Sequence, residues 1–371
     1  MSGRTMALAL AAVEDRNWQA VADLAAEAVG EGYRPALELV AMAAYKRRDY
    51  AAAIAALEAL KDAGEGAGPT AQAMLARLHL LTGNLRRGWQ LIRDACRLGT
   101  FGPSLYTLPH WNGEPLAGRR IVAWGLGYGD DIFFARFLPD LAATGATVFL
   151  TCRPQLVRLF RSLSCVADVL PADGVVPEAD FQIHVAELAA MFSTDGKPVA
   201  PDGPYLWAEP MALAGTGRRV GLTWACDSRH WEAGDRCAAL ADMAPLSRVP
   251  GVKLYGLQFD VHAAQLSPAP AGMEIEDLRP RHQDFADTAA AITAMDLVIT
   301  IDTSVANLAG ALGVPVWVVV PLIPDWRWAA EGSRTPWYPT ATVYRQTVPG
   351  DWKTVFRTMA EDLAVRFRHT V

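Results

Sequence analysis

The chain has 371 residues, 51% of them apolar and 20% charged, with a formal net charge of −6. That length predicts two or three domains, and the acidic balance lacks the basic footprint of a nucleic-acid-binding protein. No apolar run of about 18 residues occurs, so no membrane-spanning helix is expected. The opening MSGRTMALALAAVEDRNW is interrupted early by acids and Trp18, which argues against a signal peptide.

Residues 1–100 are alanine-rich, and their apolar spacing is helical. Three junctions look alike: RNWQAVADLA, RDYAAAIAAL and GNLRRGWQLI. Their anchors Trp18, Tyr50 and Leu85 lie 32 and 35 positions apart, close to the 34-residue period of tetratricopeptide repeats. A small residue follows about one turn later in two copies (Ala53, Gly88), where it lets two helices approach; Val21 is bulky for that role. An unrelated helical bundle would fit the same spacing.

The stretch TLPHWNGEPLAGRR is a linker punctuated by Pro and Gly. Beyond it, β-type runs alternate with helical ones. IVAWGL, TVFLTC and DFQIHV read as strands, with DIFFARFLPDLAATG and QLVRLFRSL as helices. After GTGRR comes a second set: VGLTWA, VKLYGLQF, LVITID and VPVWVVV as strands, ADTAAAITAM and SVANLAGALG as helices. Such alternation predicts parallel sheets covered by helices. The expected class is α/β with an all-α N-terminal region: helical repeats over 1–100, one Rossmann-like domain over 101–215, a second over 216–350 and a terminal helix over 351–371. Ligands in such sheets bind at the carboxyl ends of the strands.

The five cysteines are odd in number and none has CxxC spacing. That predicts neither a disulfide framework nor a structural zinc site, and a reduced, cytoplasmic protein. Three segments carry candidate chemistry. In GLGYGDDIFFARF, Gly127 and Gly129 fall between a strand and a helix, where backbone N–H groups meet an anion; the same stretch reads equally as a glycine turn with an acidic helix start at Asp130 and Asp131. In LVITIDTSVANLAGALG, Asp302, Thr303 and Ser304 open a helix as a diphosphate cradle would, or as an ordinary N-cap. In PDWRWAAEGSRTPWYP, tryptophans with Arg327 and Arg334 offer stacking surfaces and guanidinium groups for a sugar nucleotide, although clustered tryptophans are also common in cores.

Together these segments, with WNGEPLAGR, RVGLTW, DFADTAAAITAMDL and PGDW, resemble bacterial glycosyltransferases that place tetratricopeptide repeats before a GT-B catalytic unit. Those are related to the family 9 lipopolysaccharide heptosyltransferases and, more distantly, to the family 41 O-GlcNAc transferases. The resemblance runs from about Pro109 to Asp351, roughly two-thirds of the chain. It implies two Rossmann-like domains facing a cleft, a nucleotide-sugar donor on the second and an acceptor on the first. It implies Asp130 as catalytic base and His230 at a catalytic position. Gly127, Gly129, Trp224, Gln258, Asp284, Thr288, Asp302, Thr303, Ser304, Asn307 and Arg327 would line the donor site, with no metal and no cofactor beyond the donor.

The chain also departs from the pattern. Asn307 stands where relatives carry His, Phe259 where they carry Lys, and Ala225-Cys226-Asp227-Ser228 where they carry Ser-Gly-Asn-Pro; Asp235 and Arg236 are kept in a run that is otherwise altered. The implied activity is inverting, metal-independent sugar transfer to a protein acceptor, flagellin or another surface protein, presented by the repeats. A catalytically degenerate binding or scaffold protein, a transferase acting on lipopolysaccharide, and a two-lobed epimerase are the alternatives.

Overall fold

The computed structural model describes residues 2–62, 68–99, 104–175, 178–193, 203–227 and 233–368. The chain divides into two compact units. The first holds helices α1 (Ser2–Glu14), α2 (Trp18–Gly30), α3 (Leu37–Lys46), α4 (Tyr50–Asp62), α5 (Pro69–Leu81) and α6 (Leu85–Arg97). Each anchor residue seen in the sequence is the first residue of a helix, and the polar residue before it is the cap. Asn17 accepts from the Ala20 N–H, Asp49 from Ala52 and Asn84 from Arg87, satisfying donors that the first turn leaves open. Gly88 marks a close approach: a Cβ there would lie 2.5 Å from Leu80 Cδ2.

The segment 325–330 belongs to this same unit. Trp326 meets Trp89 edge-on at 5.2 Å. Asp325 accepts from Arg77 at 3.2 Å and from Arg327 at 2.9 Å. Part of the tryptophan loop therefore serves as packing for the helices.

The second unit contains two all-parallel sheets. Sheet one has the order β3-β2-β1-β4, built from β1 (Arg120–Trp124), β2 (Thr147–Cys152), β3 (Asp168–Pro171) and β4 (Phe181–His184). Sheet two has the order β10-β9-β8-β5-β6-β7, from β5 (Arg218–Thr223), β6 (Val252–Gly256), β7 (Ile275–Asp277), β8 (Leu297–Ile301), β9 (Val316–Val320) and β10 (Ala341–Arg345). All five positions of β8 and of β9 are buried, as strands covered on both faces require. The edge strands β3, β7 and β10 were not legible as strands: DVLP and IED are short and partly polar, and ATVYR comes after a Pro-rich loop.

The covering helices are α7 (Tyr128–Phe134), α8 (Leu138–Ala143), α9 (Pro154–Phe160), α10 (Leu188–Phe192), α11 (Ala233–Arg236), α12 (Phe285–Thr293), α13 (Ser304–Ala311) and α14 (Trp352–Phe367). The single helix expected over DIFFARFLPDLAATG is instead α7, a 3-10 turn at Ala135–Phe137, and α8. Pro139 has no N–H to bond back to the preceding turn, so it sits in the first turn of a new helix and not inside a continued one. From α14, Trp352, Phe356, Met359 and Leu363 share one core with Val220, Leu222 and Leu254 of sheet two.

Candidate functional site

In sheet one, central strand β1 ends at Trp124 and the chain turns through Gly125 and Gly127 into α7. Position 125 is tight: a Cβ there would lie 2.1 Å from Asp131 Oδ1, so a larger residue would push that carboxyl aside. That oxygen accepts from the Gly127 N–H at 3.3 Å, while Oδ2 is buried without a hydrogen-bond partner among the described residues. Burial first, and then the charge of Asp130, push the Asp131 carboxyl well above its ordinary range, which favours its protonated form. Asp130 is the exposed member of the pair, in the first turn of α7. His184, at the end of β4, meets Trp124 edge-on at 4.6 Å. Burial lowers it to about 4 although Asp130 pulls the other way. Its Nδ1 accepts from the Ala186 N–H, which puts the proton of the neutral ring on Nε2.

In sheet two, β8 ends at Ile301 and α13 begins three residues on. Thr303 caps it, its hydroxyl accepting from the Val305 N–H at 3.2 Å. Asp302 is buried and ion-paired with Arg236 at 2.8 Å, and Arg236 also donates to the Asp302 carbonyl. Asn307 donates from Nδ2 to the Thr303 carbonyl, and its Oδ1 accepts from the Tyr338 hydroxyl at 2.9 Å. Gly310 admits the Tyr338 ring, which a Cβ would meet at 2.3 Å.

Gln258 uses its whole amide as a clamp. Oε1 accepts from the N–H groups of Trp224 and Ala225, and Nε2 donates to the Ala225 carbonyl and to Asp260. This ties the chain leaving β5 to the chain leaving β6. Asp284 caps α12 through the Ala286 N–H. The Thr288 hydroxyl lies 3.0 Å from His282 Nε2, and the His282 ring stacks on Phe259 at 3.8 Å.

The two sheets bring these helix starts together. A Cβ on Gly129 would lie 3.3 Å from Asn307 Nδ2 and 3.6 Å from Ser304 Cα, so the first turn of α7 rests on the start of α13. Alongside, Arg158 of α9 bonds Asp284 at 2.8 Å and Asp287 at 2.6 Å, and Tyr128 stacks on Phe285 at 5.0 Å. Arg136 donates to the Trp337 carbonyl at 3.1 Å. The carboxyl ends of β1 and β8 therefore face each other, with an exposed carboxylate on one side and a helix N-terminus on the other. Such an arrangement can accept a proton at Asp130 and hold an anion at the backbone N–H groups of α13.

Of the residues singled out in the sequence, Gly127, Gly129, Asp130, Asp302, Thr303, Ser304 and Asn307 come together here, with Asp284 and Thr288 on neighbouring α12. Trp224 and Gln258 form the backbone clamp. Arg327 belongs to the helical unit, where it is buried with Asp325 over the Trp326 ring. His230 lies outside the described residues. The sequence reading missed the partners Arg158, His184 and Tyr338, and the pairing of Arg236 with Asp302. Each acts on a residue far away in the chain, so no local pattern announced it. The Asp130-Asp131 doublet was visible, but not which of the two acids would be buried.

Two parallel sheets with opposed carboxyl edges give this chain a fold of the GT-B class. The family 9 glycosyltransferase from Veillonella parvula DSM 2008 superposes with a TM-score of 0.51 at 12% identity, over 70% of this chain and 98% of that one. The E. coli ADP-heptose lipopolysaccharide heptosyltransferase II gives 0.47 at 12% identity, over 67% of this chain and 98% of that one. Among curated proteins, the chain is similar to protein FlbA of Caulobacter vibrioides, 26% identical over 318 residues, which is 75% of this chain. It spans 52% of that relative's length. No family model matches the chain. Among the described residues no helix is long and apolar enough to cross a membrane.

Proposed function

We propose that the chain is an inverting, metal-independent glycosyltransferase that moves a sugar from a nucleotide-sugar donor to a protein. The observation that carries this reading is the contact between Gly129, the residue before Asp130, and the Ser304–Asn307 turn that opens α13. The donor diphosphate binds at the α13 start, where the N–H groups and the helix dipole favour negative charge. The base and ribose lie towards Asp284 and Thr288. Asp130 takes the proton of the acceptor hydroxyl as its oxygen attacks the anomeric carbon. The bond to the diphosphate breaks on the opposite face, which inverts the centre, and α13 stabilises the departing charge. The helical unit, read as tetratricopeptide repeats, presents the acceptor on an extended surface. Flagellin or another surface protein, glycosylated in the cytoplasm, is the acceptor class proposed.

One observation favours a second reading, a degenerate binding or scaffold protein. Asp284 and Asp287 already hold Arg158, and Phe259 is stacked on His282, so several donor-side groups are engaged within the chain itself. A thermal-shift panel of CMP, UDP, GDP, ADP and dTDP with their sugars separates the two. A nucleotide bound only by the folded chain at about 100 times its dissociation constant stabilises it by about 2.7 kcal/mol. The transferase reading expects one nucleotide class to raise the midpoint, with sugar transfer lost in Asp130→Ala and binding kept. Full transfer in Asp130→Ala would remove the base assignment. No shift with any nucleotide would favour the scaffold. Transfer to lipopolysaccharide instead of protein would redirect the acceptor assignment alone.

A further inference from the structure

Cys226 lies just beyond β5 and Cys237 just beyond α11, eleven positions apart in the chain. Their sulfurs lie 3.4 Å apart, and the Cys226 backbone N–H donates to Cys237 Sγ at 3.2 Å. Both are half-buried, so a small solute can reach them, whereas Cys96 and Cys152 are buried. A disulfide holds its sulfurs about 2.05 Å apart; closing this pair takes an approach of roughly 1.3 Å.

We propose that Cys226 and Cys237 form a peroxide-reactive dithiol that closes reversibly to a disulfide. Cys237 is the attacking thiolate. The Cys226 thiol and N–H bond to its sulfur, and His262 and Arg236 add positive potential, which together hold it below the usual thiol range. A thiolate in such a setting is the reactive form of cysteine. The thiolate attacks one peroxide oxygen, the O–O bond breaks, hydroxide leaves, and Cys237 becomes a sulfenic acid. Cys226, whose thiol is pushed upward by its bond to Cys237, then attacks that sulfur as the S–O bond breaks. Water leaves and the disulfide forms. The two sulfurs lose two electrons and the peroxide takes both.

The remaining thiols are internal controls. Burial pushes both Cys152 and Cys165 upward, which disfavours their thiolates. The proposal does not depend on sugar transfer. It puts a reversible oxidation site beside Arg236, the residue that holds Asp302.

The test treats the reduced full chain with hydrogen peroxide, alkylates it after unfolding, and maps all five cysteines by mass spectrometry. The expected result is one linked pair, Cys226 with Cys237, lighter by two hydrogens and restored by dithiothreitol, with the other three alkylated as before. In Cys226→Ser, dimedone should trap a sulfenic acid on Cys237; in Cys237→Ser, Cys226 should take no dimedone. Full alkylation of both residues after peroxide, or a disulfide joining any other pair, overturns the proposal. The wild-type map alone decides it, whether or not either variant folds.

Discussion

At the end of β1 the buried carboxyl of Asp131 lies against glycine; at the end of β8 the buried carboxylate of Asp302 lies against arginine. The two positions are topologically alike, each where the central strand of a parallel sheet turns into a helix. Asp131 receives one backbone hydrogen bond, and that bond and the charge of Arg153 offset its burial only in part, so its carboxyl is pushed well above the ordinary range. Asp302 has the Arg236 guanidinium at 2.8 Å. A buried carboxyl is tolerated either by neutralisation or by pairing. The difference shows that equivalent places in two similar folds need not accommodate a buried acid in the same way, and that the exposed acid of sheet one is Asp130.

The sharpest way to break this contrast is to remove the cation. Arg236→Met takes the guanidinium away from the buried Asp302, which is expected to cost about 4 kcal/mol, read as a lowered denaturation midpoint. Adding Asp302→Asn should recover most of it; recovery of none would mean that Arg236 acts elsewhere. Next comes acid. His184 titrates at about 4 when folded and near 6.5 when unfolded. Between these values the unfolded chain binds a proton that the folded chain does not. Stability should therefore be complete above pH 6.5 and fall as the pH drops towards 4, by up to about 3 kcal/mol. His184→Asn should flatten that slope, and an unchanged slope would place the effect elsewhere.

Gly125→Ala puts a methyl against the Asp131 carboxyl and is expected to cost about 2 kcal/mol by overpacking. The penalty should shrink in the double variant with Asp131→Ala, and strict additivity of the two would show that they do not touch. The smallest change expected is Asp131→Asn. It puts a neutral amide of similar shape where burial already favours the protonated carboxyl, so stability should move by less than about 1 kcal/mol. A loss as large as that of Arg236→Met would mean that Asp131 is ionised.

Much of this arrangement was legible in the sequence. The anchors Trp18, Tyr50 and Leu85 announced helix starts because a cap and an apolar residue are neighbours in the chain. The runs IVAWG, LVITI and VWVVV announced buried parallel strands because burial on both faces leaves only apolar positions. The glycines before α7 and the Asp-Thr-Ser before α13 marked the helix starts for the same local reason. Pairing at long range stayed hidden. Edge strands β3, β7 and β10 carry too little apolar patterning to stand out, and take their form from the strand beside them. Arg327 read as a guanidinium suited to a sugar nucleotide in a tryptophan loop, yet it is built into the packing of the helical unit.

By itself the sequence determined the α/β class, the helical region before it, the two helix starts and the residue types available at each. These depend on periodicity and capping, which act over a few residues. Only the tertiary structure decided that Asp131 is buried and Asp130 exposed, that Asp302 is matched to Arg236 across 66 positions, and that Gly129 rests on Ser304. Those outcomes depend on desolvation and on contacts between distant segments, and both exist only once the sheets have packed.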